Sequence, residues 1–215
     1  MTFCLDTKLI KPDSDKEIKN IVILLHGYGG DGNDIAQVVL NWKRFLPNTL
    51  FVCPNAPEVC SINPTGYQWF DLSKDDEEFV LHESKKNELV LKNFLNEIKE
   101  RFSLPNSKIC LSGFSQGCMM SISAGLSSDE KYSGILGFSG KIYDLELLSK
   151  ELNTKTKVFF IHGTKDEVIK LEEMYDSFEL LKKLKIDVDY KVLNCDHTIS
   201  AEGMSIGLSF IRNLT

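Results

Sequence analysis

The chain alternates between short apolar runs rich in β-branched residues and longer segments with helical periodicity. Most of the apolar runs are too uniformly hydrophobic for half-exposed strands and are typical of strands buried on both faces. Strand, helix and strand in repetition predict an α/β fold with a mostly parallel central sheet and helices on both faces. The predicted strands span 3–10, 20–25, 49–53, 108–112, 133–138, 156–161 and 187–193.

Three segments place apolar residues three or four positions apart, which predicts amphipathic helices. Their apolar stripes are Leu91, Leu95, Ile98 and Phe102, then Leu171, Met174, Phe178 and Leu181, and finally Met204, Leu208 and Ile211. The segment 54–82 has no clear periodicity and predicts a long excursion over the edge of the sheet. A loop of that length is usually functional, whereas its acidic run at 75–78 is expected to be a solvated face.

Composition narrows the class of protein. A length of 215 residues suits one domain, which we expect to span 1–215. The net charge of −6 argues against nucleic-acid and anionic-membrane partners, because both require a basic face. No export signal or membrane-spanning run is recognisable, and the six cysteines form no C-x-x-C pair. We therefore expect a soluble cytoplasmic protein with reduced thiols and without a zinc site.

The strongest chemical signal is GFSQG at 113–117, which lies between a predicted strand and a predicted helix of small and apolar residues. In this context G-x-S-x-G predicts a nucleophile elbow, a turn so sharp that the residues flanking the serine must be tiny. Ser115 would then lie above the ends of the strands, at the positive end of the helix. A similar GFSGK at 137–141 lacks the second glycine, so Ser139 is expected to be structural.

A serine nucleophile requires a histidine base oriented by a carboxylate, and in this class of fold the chain order is serine, acid, histidine. His26 and His162 each end a predicted strand, and His82 lies in a charged stretch upstream of Ser115. His197 lies in a loop between the last strand and the last helix. His197 is therefore the predicted base.

Asp166 is the favoured acid because it follows a predicted strand and precedes a helix, at the edge where the carboxyl ends of parallel strands meet. An aspartate at such a position also often caps a helix, which is the alternative role. Glu167, Asp196 and Asp144 are competing candidates. A cysteine hydrolase using Cys118 or Cys195, and a catalytically silent binding scaffold, are the competing classes of function.

The glycines at 27–32 follow a strand and match G-x-G-x-x-G, the fingerprint of a dinucleotide-binding loop. Such a site needs an acidic residue at the end of the second strand, and that region reads LFVCPNAP. In an elbow enzyme the same glycines let a backbone N–H approach the substrate carbonyl. We therefore expect an oxyanion hole formed by the N–H groups of Tyr28 and Gln116, with no nucleotide cofactor and no metal.

The motifs LLHGYGGDGND, CPNAP, YQWFDL, GFSQG, HGTKDEVI and DHTIS together resemble the phospholipase/carboxylesterase family of α/β-hydrolases, which includes acyl-protein thioesterases. The resemblance covers nearly the whole chain. It implies an α/β-hydrolase fold without a large lid domain, and cleavage of a small-molecule ester or thioester, or of an acylated protein. It also implies Ser115, Asp166 and His197 as the triad.

By the same resemblance, Trp69 and Phe70 border the acyl pocket, although a tryptophan in a long loop can equally be an anchor to the core. Asp196 stands where relatives usually have glycine, and this extra carboxylate would raise the pKa of the base or compete for its ring nitrogen. The family contains homodimers, so the resemblance leaves dimer formation open. Neither the acyl chain length nor the choice between ester and thioester can be deduced from these motifs.

Overall fold

A computed structural model describes residues 3–13, 16–74 and 76–215. Asp75, part of the acidic run, lies outside the described residues. The strands are β1 Thr7–Ile10, β2 Asn20–Leu25, β3 Thr49–Pro54, β4 Glu58–Val59, β5 Tyr67–Gln68, β6 Ile109–Phe114, β7 Gly134–Phe138, β8 Val158–Gly163 and β9 Val188–Leu193. The α-helices are α1 Gly32–Leu40, α2 Glu77–Phe102, α3 Gln116–Leu126, α4 Leu145–Glu151, α5 Leu171–Lys183 and α6 Ala201–Arg212.

The main sheet of the described chain has seven strands in the order β1-β3-β2-β6-β7-β8-β9. β1 pairs with β3 in the antiparallel sense, and the other neighbours are parallel. β6 lies in the middle, between β2 and β7. The α/β prediction and all of its predicted strands are confirmed, with β1 shorter than the predicted run at 3–10.

Each face of the sheet is covered by its own hydrophobic core. Helices α2, α3, α4 and α5 contribute buried residues to one core, and α1 and α6 contribute to the other. Consecutive strand residues point to opposite faces, so a strand between two cores must be apolar at every position. This arrangement explains why β2 and β3 read as continuous hydrophobic runs in the sequence.

The predicted loop at 54–82 differs from the structure in two respects. Its last part, from Glu77, is already the first turn of α2, because the Asp76 side chain accepts a hydrogen bond from the Phe79 N–H at 3.0 Å. Glu77 and Glu78 remain exposed in that first turn. The loop also contains the β4–β5 hairpin, whose strands of two residues each are too short to show periodicity.

The buried face of α6 is centred one residue away from the predicted stripe. Gly203 and Gly207 are buried, whereas Met204 and Leu208 are only half-buried. A Cβ at Gly207 would lie 2.9 Å from the Phe138 side chain, so the glycine allows the helix to pack closely on β7. A pattern of large apolar residues does not reveal that a glycine is buried. The predicted stripe on α6 is therefore displaced by one residue from the buried face.

A buried carboxylate ties α2 to α3. Glu88 is 2% exposed, and its oxygens accept hydrogen bonds from Lys85, Ser123 and Ser127 and form an ion pair with Lys92. Burial alone would raise the pKa of Glu88, but the bonds from Lys85, Lys92 and Ser123 outweigh it and lower the pKa to about 2. The ionised carboxylate is therefore the form that the folded state favours.

We expect Glu88→Gln to lower the free energy of unfolding at pH 7 by about 2 kcal/mol, because the amide cannot replace the charged partner of two lysines. A carboxyl group whose pKa is lower in the folded than in the unfolded state stabilises the fold at pH values above the unfolded pKa. This contribution is lost as the pH falls from about 4.5 toward about 2. Urea denaturation across this range should show the difference between native and variant shrinking. Glu146→Gln, which removes an exposed i,i+4 pair with Lys150, is the control and should show no such convergence.

None of the helices in the described part of the chain is both long enough and apolar enough to cross a bilayer. The longest, α2, has 26 residues, and charged side chains occur along its length.

Candidate active site

Ser115 occupies the sharp turn between β6 and α3. Its backbone lies at φ 54° and ψ −117°, a strained conformation for a residue with a side chain. A Cβ at Gly113 would lie 2.1 Å from the Gly117 carbonyl oxygen, and one at Gly117 would lie 2.1 Å from the Leu25 carbonyl oxygen. The turn therefore requires both glycines of the GFSQG motif, as the sequence predicted.

His197 and Asp166 meet beside the same edge of the sheet. Asp166 follows β8 and His197 follows β9, and these strands are parallel neighbours. The Nδ1 atom of His197 lies 2.8 Å from Oδ2 of Asp166. The other carboxylate oxygen, Oδ1, accepts the N–H groups of Val168 at 3.0 Å and Ile169 at 2.9 Å. Every oxygen of this buried carboxylate thus has a donor.

The environment of Asp166 favours its charged form. Burial alone would raise the pKa of the carboxyl, but hydrogen bonds from Ile169 and His197 outweigh it and hold the pKa below its ordinary value. An ionised Asp166 accepts the Nδ1–H of His197 and leaves Nε2 of the ring free to take a proton. This is the tautomer that a general base needs.

The competing acids lie elsewhere. Glu167 and Asp196 are exposed, and Asp144 caps α4 by accepting the Leu147 N–H at 2.8 Å. Nδ1 of His197 is bonded to Asp166, and within the described chain the Asp196 side chain makes no hydrogen bond to the ring. The alternative role of Asp166 as a cap is also seen in part, since Oδ1 binds backbone N–H groups ahead of α5.

A second histidine, His162, contacts Asp166, and the sequence analysis does not anticipate this contact. His162 Nε2 lies 2.8 Å from the Ile169 carbonyl oxygen and 3.4 Å from Oδ2 of Asp166. Both neighbours are acceptors, so Nε2 must carry the hydrogen, while Nδ1 has no hydrogen-bond partner among the described residues. The signal was available as a His-Gly pair at a strand end four residues before the acid.

The loop after β2 carries the N–H of Tyr28, which lines the same cavity as Ser115, and His26 fixes this loop. Nδ1–H of His26 donates to the Gly27 carbonyl at 2.7 Å, and Nε2 accepts the Ala56 N–H at 2.9 Å. Burial lowers the pKa of His26 and so favours this neutral ring. Within the described chain the N–H groups of Tyr28 and Gln116 donate to no other protein group. Both are therefore available to a ligand.

An open cavity of about 400 Å³ contains the predicted serine and histidine. Its wall is largely apolar and aromatic, with one ion pair between Lys141 and Glu173. The lining residues are Tyr28, Phe70, Leu72, Phe114, Ser115, Gln116, Met119, Lys141, Tyr143, Val168, Ile169, Glu173 and His197. A cavity of this size and character can hold a small apolar group next to the serine.

The two aromatic residues predicted beside the acyl pocket have different positions. Phe70 lines the cavity, whereas Trp69 is 0% exposed and lies behind the wall. The Trp69 indole donates to the His26 carbonyl at 3.0 Å. The side chain of Gln116 binds both residues, accepting the Trp69 N–H at 3.1 Å and donating to the Phe70 carbonyl at 2.8 Å. In this structure Trp69 anchors the loop and Phe70 faces the cavity.

Cys118 and Ser139 are enclosed, whereas Cys195 is half-buried in the loop after β9 and does not line the cavity. Cys118 is 0% exposed inside α3, and burial raises the pKa of its thiol. Ser139 is 1% exposed at the end of β7. Across residues 3–13, 16–74 and 76–215, no cluster of three or more His, Cys, Asp or Glu side chains is arranged to hold a metal ion.

Comparison with known proteins gives consistent relationships. A sequence model of the phospholipase/carboxylesterase family matches residues 7–215. Acyl-protein thioesterase 1 of Gibberella zeae is 35% identical over 213 residues, which cover 89% of this chain and 88% of that protein. Acyl-protein thioesterase 1 of Candida albicans is 29% identical over an alignment of 224 positions, which covers 94% of this chain and 95% of that protein.

Solved structures agree with the sequence relatives. The crystal structure of esterase PE8 superposes with a TM-score of 0.93 at 35% identity, covering 98% of this chain and 99% of that one. Acyl-protein thioesterase 2 of Zea mays has a TM-score of 0.77 at 19% identity, covering 97% and 98%, and supports the fold alone.

Proposed function

The chain belongs to the phospholipase/carboxylesterase family of α/β-hydrolases and is a serine hydrolase of ester or thioester bonds, and we propose that Ser115, His197 and Asp166 are its catalytic triad. One observation carries the proposal: a serine on a strained elbow lines the same cavity as a histidine whose Nδ1 is bonded to a buried carboxylate. Each member follows a strand of the parallel sheet, which favours their meeting at one edge.

The proposed reaction is a two-step acyl transfer. His197 takes the Ser115 proton on Nε2, and the serine oxygen attacks the carbonyl carbon of the substrate. His197 then returns that proton to the leaving alcohol or thiol, which leaves an acyl-serine. Water repeats the sequence on the acyl-enzyme and releases the carboxylic acid, while Asp166 stabilises the imidazolium formed in each step.

The N–H groups of Tyr28 and Gln116 are the proposed donors to the oxyanion. Their support is that both lack protein acceptors within the described chain and that both residues line the cavity. His26 fixes the loop that carries the Tyr28 N–H, because its ring bonds to Gly27 and Ala56. The Gln116 N–H lies at the N-terminus of α3, where the helix dipole favours negative charge.

The apolar wall of the cavity indicates an acyl group rather than a charged one as the bound part of the substrate. We propose that small carboxylic esters and thioesters are the substrate class. The names of the relatives also bring an acylated protein into consideration. No metal or organic cofactor enters the proposed reaction.

Covalent labelling tests the assignment. A fluorophosphonate probe should label the native protein with one equivalent, and peptide mapping should locate the adduct on Ser115, because an activated serine attacks the phosphorus atom. Turnover of p-nitrophenyl butanoate and of the matching thioester should fall in proportion to labelling.

Two results would contradict the proposal. Loss of turnover on alkylation of Cys118 or Cys195, with Ser115 unlabelled, would establish cysteine chemistry instead. A folded native protein that neither takes the label nor hydrolyses any ester or thioester from acetyl to palmitoyl would favour the silent binding scaffold.

A further inference from the structure

A small void lies directly behind the apolar wall of the catalytic cavity. It has a volume of about 30 Å³, little more than a water molecule, and it lies between α2, α3 and α4. Three residues, Phe70, Met119 and Tyr143, line both spaces. Two spaces with a shared wall of three side chains would become one if that wall moved.

Phe70 is the fixed part of the wall. Its side chain is 1% exposed, and its carbonyl oxygen accepts a hydrogen bond from Gln116 Nε2 at 2.8 Å. This bond holds the Phe70 backbone in place beside the proposed oxyanion donor Gln116. Phe70 therefore serves as a rigid edge.

Met119 and Tyr143 are the adaptable part. Met119 lies on α3 one turn after Ser115, whose carbonyl oxygen accepts the Met119 N–H at 3.2 Å. Its unbranched thioether side chain has three rotatable bonds and fills irregular space without polar ties. Tyr143 is half-buried, its ring centroid is 5.3 Å from that of Phe70, and its hydroxyl has no hydrogen-bond partner in the described chain.

Charged side chains line the far end of the void, where Lys85 and Glu151 are partly exposed. Lys85 Nζ bonds to Glu88 at 2.8 Å and to Glu151 at 2.5 Å. An alkyl chain that reached this network would remove water from ionised groups without replacing their hydrogen bonds, which is unfavourable. The space beyond Met119 therefore has apolar walls near the serine and a charged end.

We propose that the void is a blocked extension of the acyl pocket and that Met119 sets the length of acyl chain that the site accepts. The proposal rests on the proposed function and deepens it. It assigns short-chain esters and thioesters as the preferred substrates, because Met119 occupies the path of a longer chain. A smaller side chain at 119 opens the path as far as the Glu88 network.

The test is the ratio of kcat/KM for p-nitrophenyl decanoate to that for the butanoate. Met119→Ala should raise this ratio at least about tenfold, since each newly buried methylene is worth about fourfold. Met119→Leu conserves volume and should leave the ratio close to the native value. A ratio in Met119→Ala equal to the native ratio, in a sample with a cooperative thermal transition, would overturn the proposal.

Refilling the void gives a second, independent readout. Ser84 lines the void on α2 and is not part of the catalytic cavity. Leucine at this position should occupy the opened space, so Met119→Ala/Ser84→Leu should return the ratio toward the native value. A double variant that keeps the full gain would mean that long chains bind elsewhere, and would also overturn the proposal.

Two further controls separate the possible failures. If Met119→Ala does not fold, Tyr143→Ala is the second variant, because Tyr143 is the half-buried part of the wall. It should raise the ratio of kcat/KM values by an equal factor, and an unchanged ratio would overturn the proposal. Ser115→Ala, assayed in parallel, separates this proposal from the function. If Ser115→Ala loses turnover and Met119→Ala leaves the chain-length ratio unchanged, only the role of Met119 in setting chain length is rejected. If Ser115→Ala retains turnover, the proposed triad is rejected.

Discussion

Replacing Ser115 with alanine should lower kcat for p-nitrophenyl butanoate by something on the order of a millionfold. The hydroxyl is the only group of the proposed triad that forms a bond to substrate, and without it His197 and Asp166 have no nucleophile to activate. The fold should be unaffected, because alanine can occupy the elbow without new contacts. Steady-state kinetics and a thermal melt of the same sample measure both consequences.

Ser139→Ala is the matched control for this prediction. Ser139 also follows a Gly-Phe pair at a strand end and also has a positive φ, of 44°. However, it is 1% exposed, and its hydroxyl has no hydrogen-bond partner among the described residues. We expect its kcat to stay within about twofold of native, a change of less than 1 kcal/mol. Retention of most activity in Ser115→Ala, or its loss in Ser139→Ala, would contradict the assignment of the nucleophile.

The order of the elements could be predicted because the physics that decides it is local. A strand between two helical layers must be apolar at every position, so β2 and β3 were legible as continuous runs. The elbow was legible for a similar reason, since a turn that leaves no room for a Cβ at Gly113 and Gly117 dictates its own sequence. Where the backbone geometry of a turn admits only glycine, the glycines in the sequence reveal the turn.

Contacts between distant segments could not be predicted in the same way. The family resemblance places Trp69 and Phe70 together beside the pocket, yet only Phe70 faces it, because the Trp69 indole turns away to donate to the His26 carbonyl. The Gln116 side chain that fixes both residues is 46 or more positions away from them. The contact of His162 with Asp166 depends on how the chain turns after β8, and no local pattern encodes that turn.

Asp166→Asn should lower kcat by about ten-thousandfold while leaving the protein folded. Oδ1 accepts two backbone N–H groups, from Val168 and Ile169, so the amide oxygen of asparagine must stay there. The amide NH₂ is then forced to face His197 Nδ1, where the carboxylate had accepted a hydrogen bond. The imidazole must present Nδ1 as an acceptor and carry its hydrogen on Nε2, which is the tautomer that cannot take the serine proton.

The neighbouring carboxylates supply the comparison that makes this result specific. Glu167→Gln and Asp196→Asn each remove one negative charge beside the site, but both side chains are exposed. Each should change kcat by less than about tenfold, because a screened surface charge shifts the site by under about 1.4 kcal/mol. If Asp196→Asn were the more damaging substitution, the base would be oriented by its sequence neighbour. A loss of activity confined to Asp166→Asn means instead that the acid acts through the tautomer of His197, as the hydrogen bonds around it require.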